Sequence, residues 1–591
     1  MKMMFVAGLL VLACALAQVA AKVDDTADAR LAAFFKRFLD EDHADSPLTA
    51  TRRGDHRFED KLDDFSAAAL VASRERYRRT LAELPQAVDF AKLSRDGQID
   101  FEILQHHLKQ TLWEFDHGRA YERDPRVYVE ALTESTYLPL VQSSLPSATN
   151  VKNVTARMAQ LPKVVAAAKA LLAKECPKPW VETAIQQAKG AVGFYQRDIY
   201  ELAGETPALS AIRDAAPPVI AALEDYIKFL ETERLPQATD TWRLGPAKFA
   251  EKLDLELNAG LSAAQVLADA QAEAARVEME MYVIARQMWA RLFPGQPLPP
   301  DDPQHRRFTV QSVLRVLAKD HGTNEGLVRD IEQSVEECRR FIKAKDILRL
   351  PEPDRCRVIV MPEFRRGFSV AYLHQAPPLD PAVESFYAIS PPPAAWNDRQ
   401  RASYLEEYNR HMLRILTIHE AYPGHYVQLE YSNRHPSLIR KVLFSGVFAE
   451  GWAVYTEQMM LDQGFGADAD PLALRLHQLK FYLRAVVNAL LDHAMHCANM
   501  TDDQAMELLT KRAFQTEGEA LGKVVRAKLS SCQLSTYFVG RMAFYRLRQE
   551  VQREQGATFD LGRYHEAVLA HGTLPVKYLP ELVRRRLKQP R

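Results

Sequence analysis

Cysteine is scarce in this 591-residue chain: there are six, widely spaced, and no two stand as a CxxC pair. Their scarcity argues against a disulfide framework, and the spacing against a CxxC metal or redox centre. Behind the N-terminal segment lie Cys176, Cys338, Cys356, Cys497 and Cys532. Cys338 and Cys356 are the nearest pair for a bridge, but ordinary buried thiols are the expected state. Charge of one sign is also missing, with 76 basic against 77 acidic side chains, which leaves no electrostatic case for nucleic acid. No long apolar run follows the N-terminus, so no transmembrane helix is expected there.

The N-terminus itself reads as a targeting segment. Lys2 opens it, Phe5 to Ala17 is almost wholly apolar yet too short to span a bilayer, and Ala15-Leu16-Ala17 or Val19-Ala20-Ala21 offers a cleavage site. Residues 1–21 are therefore expected to be a signal peptide, and the mature protein to be exported, periplasmic or secreted. Val11-Leu12-Ala13-Cys14 also resembles a loose bacterial lipobox. In that second reading Cys14 is the lipidated first residue and a membrane anchor.

What is present is globular: 47% hydrophobic and 26% charged residues, in a chain long enough for about two to four compact units. Residues 22–248 alternate helical-period segments with Pro-containing turns, as in Phe65 to Leu84, Asn153 to Lys174, Trp180 to Leu202 and Pro217 to Leu235. Residues 249–591 form the second expected region. Ser262-Ala263-Ala264-Gln265 is a capping-box pattern opening a long helix that ends before Pro294. Pro-rich turns then bracket three β-leaning segments, Arg357 to Met361, Phe368 to Leu373 and Phe386 to Ile389.

The chemistry centres on His419-Glu420-Ala421-Tyr422-Pro423-Gly424-His425, late in a helical stretch from Tyr408 to Tyr422. In a zinc-site helix two histidines at i and i+4 lie about 40° apart and reach one metal, with the glutamate between them as base. Here the spacing is i and i+6, roughly 240° on a regular helix. An unbroken helix would separate the rings. Pro423 and Gly424 allow a kink that swings His425 back beside His419, or else simply stop the helix before a surface histidine. Further along, Glu450 is the only charged side chain between Lys441 and Glu457. A bare carboxylate there would be costly to bury, and a metal would neutralise it. Two histidines and a glutamate from a later helix form the ligand set of a catalytic zinc.

These residues carry a resemblance. HEAYPGH followed by FAEGWAVYTE resembles the family catalogued as domain of unknown function 885, whose pattern is close to HExxPGHH with a downstream EGWAxYxE. That family is similar in turn to the gluzincin peptidases related to thimet oligopeptidase and angiotensin-converting enzyme. Tyr426 stands where many members carry a further histidine. The resemblance implies a mainly α, two-lobed zinc-peptidase architecture with a small β-sheet beside the active-site helix. It implies Zn2+ held by His419, His425 and Glu450, and a short peptide or peptide-like amide as substrate. Glu420 would be the general base. It also places Asp492 and His496, on a helix from Leu474 to Cys497, near the site as ligand-orienting or substrate-binding groups, although a local helical pair with no metal role is the alternative. Gln533, Tyr537 and Gly540 match the family's QxxxYxxG segment on an expected helix from Ser531 to Gln549. Tyr537 would donate to the oxyanion, and Arg541, on the same stripe, would meet a substrate carboxylate. Two other functions use the same residues: a metal-dependent hydrolase of a non-peptide ester or amide, and a binding protein whose site has been retired.

Overall fold

The computed structural model describes residues 26–361, 371–392 and 396–589. The expected signal peptide and the Cys14 anchor lie outside the described residues, as does the start of the Phe368 to Leu373 segment.

Over the described residues the protein is mainly helical with one three-stranded sheet. Helices α1 (Ala27–Asp45), α2 (Ala67–Ala87) and α3 (Arg95–Trp113) open the chain. Thr26, Ser66 and Ser94 cap them by accepting backbone N–H groups that the first turn leaves unsatisfied. Helix α4 (Ala263–Leu292) starts in the capping box of Ser262 and Gln265. In α5 (Leu327–Ala344) the buried residues Leu327, Ile331, Ser334, Cys338 and Ile342 recur at helical spacing and form a single inward stripe.

The sheet follows, with β1 (Cys356–Val360), β2 (Ala371–His374) and β3 (Ser385–Ile389) in spatial order β1-β3-β2. Strand β3 runs parallel to β1 and antiparallel to β2, with Tyr387 opposite Val358 on one side and Leu373 on the other. Strand β2 packs against α6 (Arg410–Glu420), so the sheet stands beside the helix that carries His419. The remaining elements of the site region are α7 (His425–Asn433), α8 (Gly446–Asp462), α9 (Pro471–Cys497), α10 (Glu517–Leu529), α11 (Thr536–Gln555) and α12 (Leu579–Leu587). Helices α8 and α9 are buried almost all round, as central helices are, and α9 buries polar side chains among its apolar ones.

Among the described residues two hydrophobic cores form, and they do not divide at residue 248. Helices α1 to α3 pack into one core with residues 242–587, whereas the other core draws mainly on residues 121–235, with Leu48 and Phe65. Buried Arg440 fixes the first arrangement by donating to Asp96 (3.0 Å) and Asp100 (2.5 Å) of α3. A sequence boundary misses this because a core is defined by packing rather than by chain order. Cys176, Cys338, Cys356, Cys497 and Cys532 are all free thiols, so the Cys338–Cys356 bridge does not form. Among the described residues no helix is long and apolar enough to cross a membrane.

Candidate metal centre

Asn409 caps α6 by accepting from the N–H groups of His411 and Met412, which starts the helix two residues later than its apolar period suggests. The helix ends at Glu420. Tyr422 N–H then turns back to Thr417 O (3.2 Å) and Gly424 N–H to Ile418 O (2.9 Å), across a cis Tyr422–Pro423 peptide. The turn is tight enough to require glycine: a Cβ on Gly424 would lie 1.9 Å from the His419 carbonyl oxygen. Helix α7 begins at once, and its first residue, His425, comes to rest beside His419 with ring centres 4.8 Å apart and planes nearly perpendicular.

Helix α8 brings the carboxylate. Glu450 Oε2 lies 3.5 Å from His425 Nε2 and 3.7 Å from His419 Nε2, and one donor atom from each of the three residues falls within 4.8 Å of the others. That oxygen is buried and has no hydrogen bond among the described residues. Burial works against its charge, yet the two imidazoles hold the carboxyl well below the usual range. A carboxylate in this position calls for a cation, and the donor set could hold one. Glu420 lies at the end of α6, nearly buried, with no hydrogen bond or ion pair among the described residues.

One orienting residue was not read from the sequence. Glu457, fully buried on α8, accepts from His419 Nδ1 at 2.8 Å, which turns Nε2 toward Glu450 as the nitrogen left to meet a metal. Its signal was available: Glu450 and Glu457 are seven residues apart, within about 20° of each other on a helix. The rest of the segment is equally occupied. Trp452 donates from Nε1 to the Pro423 carbonyl (2.8 Å), tying the turn to α8, and Tyr455 OH pairs with His565 (2.8 Å). Gly451 meets Gly540 of α11 backbone to backbone. Tyr426 points away from the centre, its hydroxyl accepting from Arg355 N–H just before β1.

A model of the family described as "Bacterial protein of unknown function (DUF885)" matches residues 47–583. The chain belongs to the DUF885 family. No curated protein matches it. It is similar to a solved structure from Shewanella oneidensis, a presumptive lipoprotein of unknown function, with 29% identity and a TM-score of 0.77 over 94% of this chain and 99% of that one. A second, from Colwellia psychrerythraea, also a presumptive lipoprotein, shares 18% identity with a TM-score of 0.76 over 95% and 99%, a likeness of fold alone.

In this DUF885 protein the remaining candidate residues fall into three sets. Gln533 and Tyr537 come together: Arg526 on α10 donates to Gln533 Oε1 (3.0 Å) and to the Tyr537 hydroxyl (3.1 Å), which also faces Gln533 Nε2 (3.4 Å). A hydroxyl that accepts from these donors keeps its own proton to give. Tyr537 is near enough to Glu450 to feel its charge. Asp492 and His496 do not touch the metal-site residues. Asp492 accepts from Cys532 N–H (3.1 Å) and Ser535 Oγ (3.3 Å), and His496 Nε2 donates to the carbonyls of Ala527 and Ser530. They shape the turn leading into α11, which is why that helix begins at Thr536 and not at Ser531. Arg541 is a correction. Its guanidinium is buried between the rings of Tyr482 and Tyr545 and donates to Glu273 (3.3 Å) and Gln458 (2.6 Å), so it is not available to a substrate carboxylate.

Proposed function

We propose that this protein is a zinc-dependent hydrolase of peptide bonds in short peptides, acting outside the cytoplasm with a gluzincin-like two-lobed architecture. The observation that carries the reading is the convergence of His419, His425 and Glu450 from three helices around a carboxylate oxygen unsatisfied among the described residues, with the carboxyl of Glu420, unpaired among them too, next in sequence to the first. Bound by these three, zinc would supply positive charge to polarise a carbonyl and acidify water. Glu420 would take the proton from the attacking water and pass it to the leaving amine. Tyr537, its oxygen already engaged by Arg526, would donate to the carbonyl oxygen as charge builds there. Glu457 would hold the His419 ring in the ligating tautomer. Export is supported by the signal-like N-terminus and by the similarity to a presumptive lipoprotein.

The test is metal content with one substitution. Purified protein is expected to hold about one zinc per chain, because three protein ligands leave room for one catalytic ion. Glu420→Gln should keep that zinc while cleavage of a mixed-sequence peptide pool falls by at least about 10³-fold, the scale of a lost general base. Full activity in Glu420→Gln, or no zinc in the wild type, would reject the reading.

A further inference from the structure

The connection between β2 and β3, residues 375–384, is gripped from three sides. In the stretch between α1 and α2, the Arg53 carbonyl accepts from Leu379 N–H (2.8 Å), and Gly54 packs so closely that a Cβ there would lie 2.6 Å from the Asp380 nitrogen. On a second side, Gln142 Nε2 faces the carbonyls of His374, Gln375 and Glu384, and Ser144 N–H donates to Asp380 (2.9 Å). On the third, Asn433 at the end of α7 donates to the Ala376 carbonyl (3.0 Å). The first two stretches belong to the second core through Leu48 and Leu138. The connection therefore ties that core to the sheet and to the helix that begins at His425.

His56 closes this junction. Its Nδ1 lies 2.9 Å from Glu59 Oε1 and its Nε2 2.9 Å from Asp380 Oδ2. A carboxylate only accepts, so each ring nitrogen needs a hydrogen, and a ring with two N–H groups is an imidazolium. The surrounding charges require the same state. Buried Glu59 has Arg157 at 3.3 Å, whereas Asp380, 7% exposed, has His56 as its one cationic partner among the described residues. The other charged groups around the junction are engaged elsewhere: Arg53 with Asp42, Asp55 with His43 and Arg57, and Glu384 with Arg357. The hydrogen bond to Glu59, and after it the one to Asp380, hold the ring above its ordinary value against burial.

We propose that His56 is a pH-sensitive clasp, which as an imidazolium bridges Glu59 and Asp380 to fasten the β2–β3 connection, and which releases that connection on losing a proton. A neutral ring would set a lone pair against one carboxylate and leave two buried acids to Arg157 alone. The folded state binds this proton more tightly than the unfolded chain. The clasp is therefore complete below about 6.5, the value of an unperturbed histidine, and is lost as pH rises through the higher folded value. Release would reach the candidate metal centre through its supports, because β2 packs on α6 and Asn433 of α7 holds Ala376.

The test is amide hydrogen exchange of the full chain from about pH 6 to about pH 9, corrected for the intrinsic rate and read by mass spectrometry. Wild-type protection over residues 375–384 should fall by about tenfold or more across that range, with α4 keeping its own. His56→Gln, which cannot carry the charge, should show the low protection at every pH. Asp380→Asn keeps an oxygen for Ser144 N–H and gives the neutral ring a neutral partner, so it should keep the high protection throughout. If His56→Gln does not fold, the Asp380→Asn profile decides alone. Constant protection in the wild type, or a fall in Asp380→Asn as large as the wild-type one, would overturn the proposal.

Discussion

At the residue scale, two carboxylates that never meet the proposed metal directly decide how the site is held. Glu457 accepts from His419 Nδ1 in a fully buried position, so Glu457→Gln should weaken zinc affinity by about 10–100-fold, the usual cost of losing such an orienting group. Competition against a chelating dye measures it, and wild-type affinity would mean that the ring is held by packing alone. Asp492 gives a pH signature. Burial pushes its carboxyl from 3.8 up to about 7, against the hydrogen bonds from Cys532 and Ser535. Because the folded state then binds that proton more tightly than the unfolded chain, its contribution to stability is complete below the unfolded value and is lost as pH rises to about 7. Asp492→Asn keeps an acceptor oxygen for Cys532 N–H but cannot ionise. The stability of the variant relative to wild type should therefore grow by up to about 1.4 kcal/mol per pH unit between pH 4 and 7, read by denaturant unfolding at a series of pH values. A pH-independent difference would show that the carboxyl does not change its ionisation across that range.

At the scale of elements, the site is the product of two junctions. The first is the break between α6 and α7, where Gly424 rests on the carbonyls of Ile418 and His419 and Trp452 holds Pro423 from the opposite helix. The second is the crossing of α8 and α11 at Gly451 and Gly540, which sets the helix of Glu450 against the helix of Tyr537. A Cβ on Gly540 would lie 2.0 Å from the Val447 carbonyl oxygen and 2.6 Å from Gly451 Cα, backbone atoms that cannot rotate aside. Gly540→Ala should therefore force the helices apart at a cost of about 1–3 kcal/mol. It should also release zinc more readily, since Glu450 adjoins the crossing. Thermal melting and metal content after dialysis check both effects, and an unchanged melting temperature would show that the crossing can relax.

For the whole molecule, the opening helices belong with the half that carries the candidate metal centre. They share its core, and Arg440 and Arg585 reach back to Asp96 of α3. A fragment spanning 245–589 would expose the face that α1 to α3 cover, with about 1.5–3 kcal/mol lost for each large apolar side chain uncovered. It is expected to bind a hydrophobic dye and to show no cooperative melt, and a cooperative transition would assign the opening helices to a separate unit.

Periodicity and local capping were enough to read much of the fold from the chain itself. The long helix from Ser262, the apolar segments around His419 and Glu450, and the three β-leaning segments follow from signals contained within a few residues of one another. The same holds for His419, Glu420, His425 and Glu450 as the residue types from which a metal site could be built. The structure decided what depends on distant contacts. It turned the i, i+6 spacing into adjacent rings, because Gly424 packs on α6 and Trp452 anchors the turn from α8. It buried Arg541 away from any substrate, because Glu273, far earlier in the chain, neutralises it among aromatic rings. And it set Arg526 on Gln533 and Tyr537, a pairing no helical pattern reveals, since an arginine on a helix looks the same whether it faces water or a neighbouring helix.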